Sequence, residues 1–112
     1  MDPKINPPIQ AALDAFDDIA RFTAGLSRDD FAQQQDTQRI VERLLILVGA
    51  GLTHASQAHP NLEASMPGFS DLIATRDHVV HRYWEVDTNR VWDVAVARRS
   101  EHATHLRSFL VN

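Results

Sequence analysis

The stretch RDHVVHRY, residues 76–83, gathers Arg76, His81 and the chain's only tyrosine, Tyr83, in the spacing R-x-x-x-x-H-x-Y. Arginine stays charged and grips two phosphate oxygens through its planar fork. Histidine exists in both protonation forms near neutrality, because its reference pKa is about 6.5. A set of this kind can bind a phosphate and move protons around it. His78 and Arg82 lie inside the same stretch, and Asp77 stands directly beside Arg76. His78 lines the same cleft or is simply a solvated side chain of the helix; the spacing alone leaves both readings open.

These side chains need helices to position them. Asn6 before Pro7 reads as the cap of a first helix, with Ile9, Leu13, Phe16 and Ala20 at helical spacing and Gly25 as its end. Ser27 with Asp30 reads as a capping box for a short helix carrying Phe31. Asp36 is expected to cap a third helix that runs to about Gln57, where His59-Pro60-Asn61 breaks it. After the turn Met66-Pro67-Gly68, a fourth helix uses Phe69, Leu72, Ile73 and Val80. Asp87 or Thr88 then caps the last, with Trp92, Val96, Leu106, Phe109 and Leu110 as its apolar face. No strand pattern or repeat appears. The expectation is one all-α domain over residues 1–112, a bundle of four long helices plus one short helix.

Length suffices for a single core without staples. There are no cysteines, so disulfides and thiolate metal sites are excluded. The N-terminus lacks the basic-then-apolar order of a signal peptide, and no apolar run approaches a bilayer span, so a cytoplasmic protein without membrane contact is expected. The net charge of −4 argues against non-specific coating of nucleic acid. Its distribution is uneven. Residues 1–36 set three cations against seven aspartates, whereas residues 88–112 set four arginines against two acids. An anionic ligand is therefore expected at the C-terminal half. Arg98 and Arg99 either track such a ligand or form a solvated helix face.

Between Ile40 and Leu52 only Glu42 and Arg43 are charged, and apolar residues run all the way round the third helix. Such a helix must be covered on every side, which predicts a two-fold subunit interface along it, with Gly49-Ala50-Gly51 allowing close approach. The motif geometry agrees. Five residues turn a helix by about 500°, so Arg76 and His81 do not share a face. Either His81 lies at a frayed helix end, or Arg76 supports the site of the other subunit.

From the first helix near Ile9 to Leu110 the chain resembles the HepT-like toxins of the HEPN ribonuclease superfamily. The resemblance is carried by the helix VERLLILVGAGL, the proline-containing connection and RDHVVHRYWEVDTNRVWDV, in that order. It implies a HEPN-type helical bundle and a metal-independent endoribonuclease, active on RNA as a homodimer whose motifs face each other. It implies Arg76 and His81 as catalytic residues. It also implies a partner, a minimal nucleotidyltransferase antitoxin that attaches AMP to Tyr83. No cofactor is implied. The chain departs from the common pattern in three places: Asp77 replaces the usual asparagine, Arg82 a frequent glycine, and Gly49-Ala50-Gly51 a frequent Gly-Glu-Ala. The carboxylate of Asp77 is expected to pair with Arg76 and weaken its hold on phosphate, which keeps open a second reading as a catalytically weak module that binds RNA, a nucleotide or a nucleotidyltransferase without cleavage.

Metal binding is the competing chemistry, since His78/His81 and His102/His105 are i, i+3 pairs. The repeated Glu-x-x-His pattern of a metal bundle is absent, so no metal site is expected.

Overall fold

A computed structural model describes residues 2–112, and they are helical almost throughout. A short 3-10 turn, Pro3–Ile5, leads into α1 (Asn6–Thr23). There follow α2 (Arg28–Gln33), α3 (Gln35–Ala58), α4 (Leu62–Ser65), α5 (Phe69–His81), α6 (Thr88–Val91) and α7 (Arg99–Arg107). A π-helical turn, Trp92–Ala97, fuses α6 to α7. The expected four long helices are thus α1, α3, α5 and the composite α6–α7, and the expected short one is α2. The single-turn α4 is an addition, built inside the connection that the prolines mark.

Local chemistry explains the ends. Ser27 and Asp30 form the reciprocal capping box expected of them. Asp87 caps α6 by accepting from the Arg90 amide. Two expected caps are absent. Asn6 is already helical, and its amide instead bridges both the N–H and the C=O of Val111, tying the two ends of the chain together. Asp36 sits within the first turn of α3, and the cap position is Gln34. Asp36 still places negative charge at the N-terminus of α3, which favours the helix.

The central pair is α1 against α3, with α5 on the other flank of α3 and the composite helix closing over α1. From α1 come Ile9, Leu13, Phe16 and Ile19, and from α3 Val41, Leu45, Val48 and Leu52, all buried. Each such side chain contributes roughly 1.5–3 kcal/mol on leaving water. Val79 rather than Val80 faces this core. The helix α3 does not hide all its sides: Ile40 and Leu47 remain exposed, 36% and 43%, along one stripe.

The glycines of α3 correct one expectation. They serve approach within the chain. A Cβ on Gly51 would lie 2.6 Å from the Pro8 carbonyl oxygen of α1, and one on Gly49 would lie 2.8 Å from Cγ of Arg76 on α5. Gly68, which begins α5 with φ +86°, is needed twice over: for its backbone and because the His102 imidazole occupies the space a Cβ would take.

Candidate active site at the end of α5

Residues 76–83 form the last turns of α5 and the first residues of the loop after it. Arg76 points across to α3, its side chain lying over Gly49 and only 23% exposed. A larger residue than glycine at position 49 would push that side chain away. Its Nε donates to Oδ1 of Asp77 at 2.8 Å, the pairing expected from the sequence. Among the described residues the guanidinium makes no other hydrogen bond, so its Nη groups remain available.

His81 is the last residue of α5 and is exposed. Its Nδ1 lies 2.9 Å from the backbone oxygen of Asp77, one turn earlier. A carbonyl only accepts, so Nδ1 carries the hydrogen, and in the neutral ring Nε2 is left as a bare acceptor facing out. That is the tautomer a general base needs. Asp77 therefore touches both motif residues: its side chain holds Arg76 and its backbone orients His81. Among the described residues no hydrogen bond joins Arg76 to His81 directly, and five residues of helix turn the two positions to different faces.

His78 plays another part than lining a cleft. Its Nε2 accepts from the Asp87 amide at 2.9 Å, across nine residues, and so ties the loop back onto α5. On α3, Glu42 is buried and bonded by Nη1 of Arg39 at 3.1 and 3.0 Å. Burial raises the pKa of Glu42, against the lowering effects of Arg39 and of nearby His78. In the sequence Glu42 stands beside Arg43 as one of the two charges in an apolar run, and spacing alone does not tell which of them turns inward.

The loop carries the rest of the motif. Arg82 pairs with Glu85 at 3.4 Å and lies over the Trp84 ring, 5.7 Å from its centroid. Tyr83 is 71% exposed and meets Trp84 edge-on. Neither ring packs on the last helix. Trp92, by contrast, is half-buried against Phe31.

The residues of the other histidine pair stand apart. His102 is fully buried, stacks on Phe16 at 5.7 Å, and its Nε2 donates to the Val94 carbonyl of the π-helical turn. Arg98 is held by Asp71 and Glu101, so part of the basic C-terminal face is neutralised internally. Among the described residues no three histidines or carboxylates gather as a metal-ligand group. Nor is any helix of them long and apolar enough to cross a membrane.

Comparison with known proteins identifies the family. The family model described as "Ribonuclease HepT-like" matches residues 12–109, which include every helix from α2 to α7 and most of α1. Three similar proteins come from Methanocaldococcus jannaschii. "Putative RNase MJ0127" is 25% identical over 84 residues, covering 75% of this chain and 69% of that protein. "Putative RNase MJ1216" is 28% identical, covering 74% and 68%, and "Putative RNase MJ0125" is 28% identical, covering 74% and 71%. No solved structure gives a significant match.

Proposed function

This chain belongs to the HepT-like ribonuclease family, and from that premise we propose that it is a metal-independent endoribonuclease toxin, acting as a homodimer and silenced by a nucleotidyltransferase antitoxin. The observation that carries the reading is the state of His81: exposed at the end of α5, its Nδ1 committed to the Asp77 carbonyl and its Nε2 open. In the reaction, Nε2 of one His81 takes the proton of the RNA 2′-hydroxyl. The 2′-oxygen attacks phosphorus, and the bond from phosphorus to the 5′-oxygen breaks. The His81 of the second copy, protonated, delivers a proton to that leaving oxygen. Arg76 stabilises the charge that develops on the phosphoryl oxygens. The products are a 2′,3′-cyclic phosphate and a 5′-hydroxyl.

A two-fold seam supplies two His81 side chains and removes the problem that Arg76 and His81 diverge within one chain. The exposed stripe of Ile40 and Leu47 on α3 supports such a seam. The exposure of Tyr83 supports its part as the modification target. Transfer of AMP from ATP to its hydroxyl forms a phosphodiester and releases pyrophosphate. The added anion then satisfies Arg76 and Arg82 and repels RNA.

The test is cleavage of RNA by the purified chain in EDTA. His81→Ala should lose about 10²-fold or more, and Arg76→Ala should fall with it. Activity that requires added metal, or that survives both substitutions, would refute the mechanism. Co-expression with the cognate nucleotidyltransferase should raise the chain mass by AMP on Tyr83 and stop cleavage, and Tyr83→Phe should escape that silencing. The runner-up, a module that binds without cutting, is favoured by one contact, the 2.8 Å bond from Arg76 to Asp77. It predicts RNA binding with no cleavage in any variant.

A further inference from the structure

The loop between α5 and α6 carries two large aromatic rings into solvent. Tyr83 is 71% and Trp84 65% exposed, more than any other large apolar residue among those described. An indole left in water has no part in the core, and exposed aromatic surface of this kind marks a contact site.

The loop that presents it is firmly held. The Arg82 amide donates to the His78 carbonyl and the Glu85 amide to the Arg82 carbonyl, both at 2.8 Å. The Asp87 amide donates to His78 Nε2. Tyr83 braces Trp84 edge-on, with ring centroids 5.2 Å apart and planes at 87°. The Arg82 guanidinium lies over the same ring and is restrained by Glu85. Trp84 is therefore fixed in place by its own loop while most of its ring stays open.

A fixed, open aromatic ring flanked by a cation suits a flat group on an anionic chain. Bases of single-stranded RNA stack on aromatic side chains while basic residues follow the phosphates. An apolar protein partner would leave Arg82 facing a desolvated surface, so the charge favours RNA. Resting on the ribonuclease reading above, we propose that Trp84 is a stacking platform for a nucleobase of single-stranded RNA, beside the phosphate that His81 handles, with Arg82 on the adjoining backbone.

The experiment uses the full chain carrying His81→Ala, so that RNA survives, and a short single-stranded RNA oligonucleotide. Binding should quench the fluorescence of Trp84 over a steady background from Trp92, which packs against Phe31. Trp84→Ala should abolish the quenching and weaken binding roughly tenfold, and Trp84→Phe should restore most of the affinity. Thermal unfolding of Trp84→Ala should match that of the parent, since the ring lies outside the core. Unchanged affinity in Trp84→Ala overturns the proposal. So does an affinity loss that comes with a changed oligomeric state, which would assign the ring to protein contact. Cleavage by the wild-type chain is scored separately. Quenching without cleavage removes the ribonuclease reading and keeps the platform; cleavage with unaltered affinity in Trp84→Ala does the reverse.

Discussion

Asp77 contributes two different atoms to the motif, and they pull in opposite directions. Its backbone oxygen fixes the His81 ring, a contact any residue could make. Its carboxylate occupies Nε of Arg76 and places a negative charge where an RNA phosphate must come. With Arg76 23% and Asp77 49% exposed, the pair is only partly screened. Asp77→Asn keeps the shape, the backbone contact and an oxygen that can accept from Nε, and removes the charge. RNA affinity, measured by filter binding or anisotropy, should rise by up to about fivefold, the worth of roughly 1 kcal/mol. A fall in cleavage would show instead that the carboxylate aims Arg76.

At the scale of elements, the composite C-terminal helix is anchored by one imidazole. The π-helical turn presents the Val94 carbonyl to His102 Nε2, and π turns often accompany such local specialisation. His102 Nδ1 is buried without a partner, so the folded state holds the neutral ring. Burial lowers the pKa of His102 from its ordinary 6.5, outweighing the raising effect of the Val94 bond; Arg98 and His105 lower it further and Glu101 raises it. The unfolded chain therefore takes up a proton near pH 6.5 that the folded chain still refuses. Stability is unaffected by this group above that pH and falls as pH drops from about 6.5 toward the lowered folded value. Thermal melts should show that loss in the wild type, and His102→Phe, which keeps a ring against Phe16, should show less of it. An equal slope in both proteins would remove His102 as the cause.

For the whole molecule, the exposed apolar residues are unevenly placed. Ile40 and Leu47 lie seven residues apart on one stripe of α3, and Val80 is exposed on α5, the helix packed on the adjoining flank. Arg76 lies between those helices, on Gly49. A second copy docking by this stripe would therefore bring the two motifs toward each other. Light scattering at micromolar concentration should give about twice the 12.6 kDa chain mass. Leu47→Asp, which in a two-fold seam meets its own charge, should give a folded monomer without nuclease activity. A dimer unaffected by that change would place the seam elsewhere.

Sequence alone determined what depends on local chemistry and periodicity. The helices, the Ser27–Asp30 box, the Asp87 cap and the Arg76–Asp77 pair follow from neighbours within a turn of one another, as does the offset between Arg76 and His81. Tertiary structure decided whatever depends on elements meeting. Asn6 satisfies the expected capping pattern, yet it bonds Val111 because the two chain ends are brought together. Gly49 and Gly51 look like a seam between subunits, yet they are filled by Arg76 and by α1. The spacing of His78 leaves it between cleft and solvent, and only the return of the loop gives it Asp87 as a partner. His102 shares its spacing with His105, but only packing against Phe16 and Gly68 strips it of water and holds it neutral. Each of these outcomes turns on a distance between residues of different elements, and periodicity within one helix carries no information about that distance.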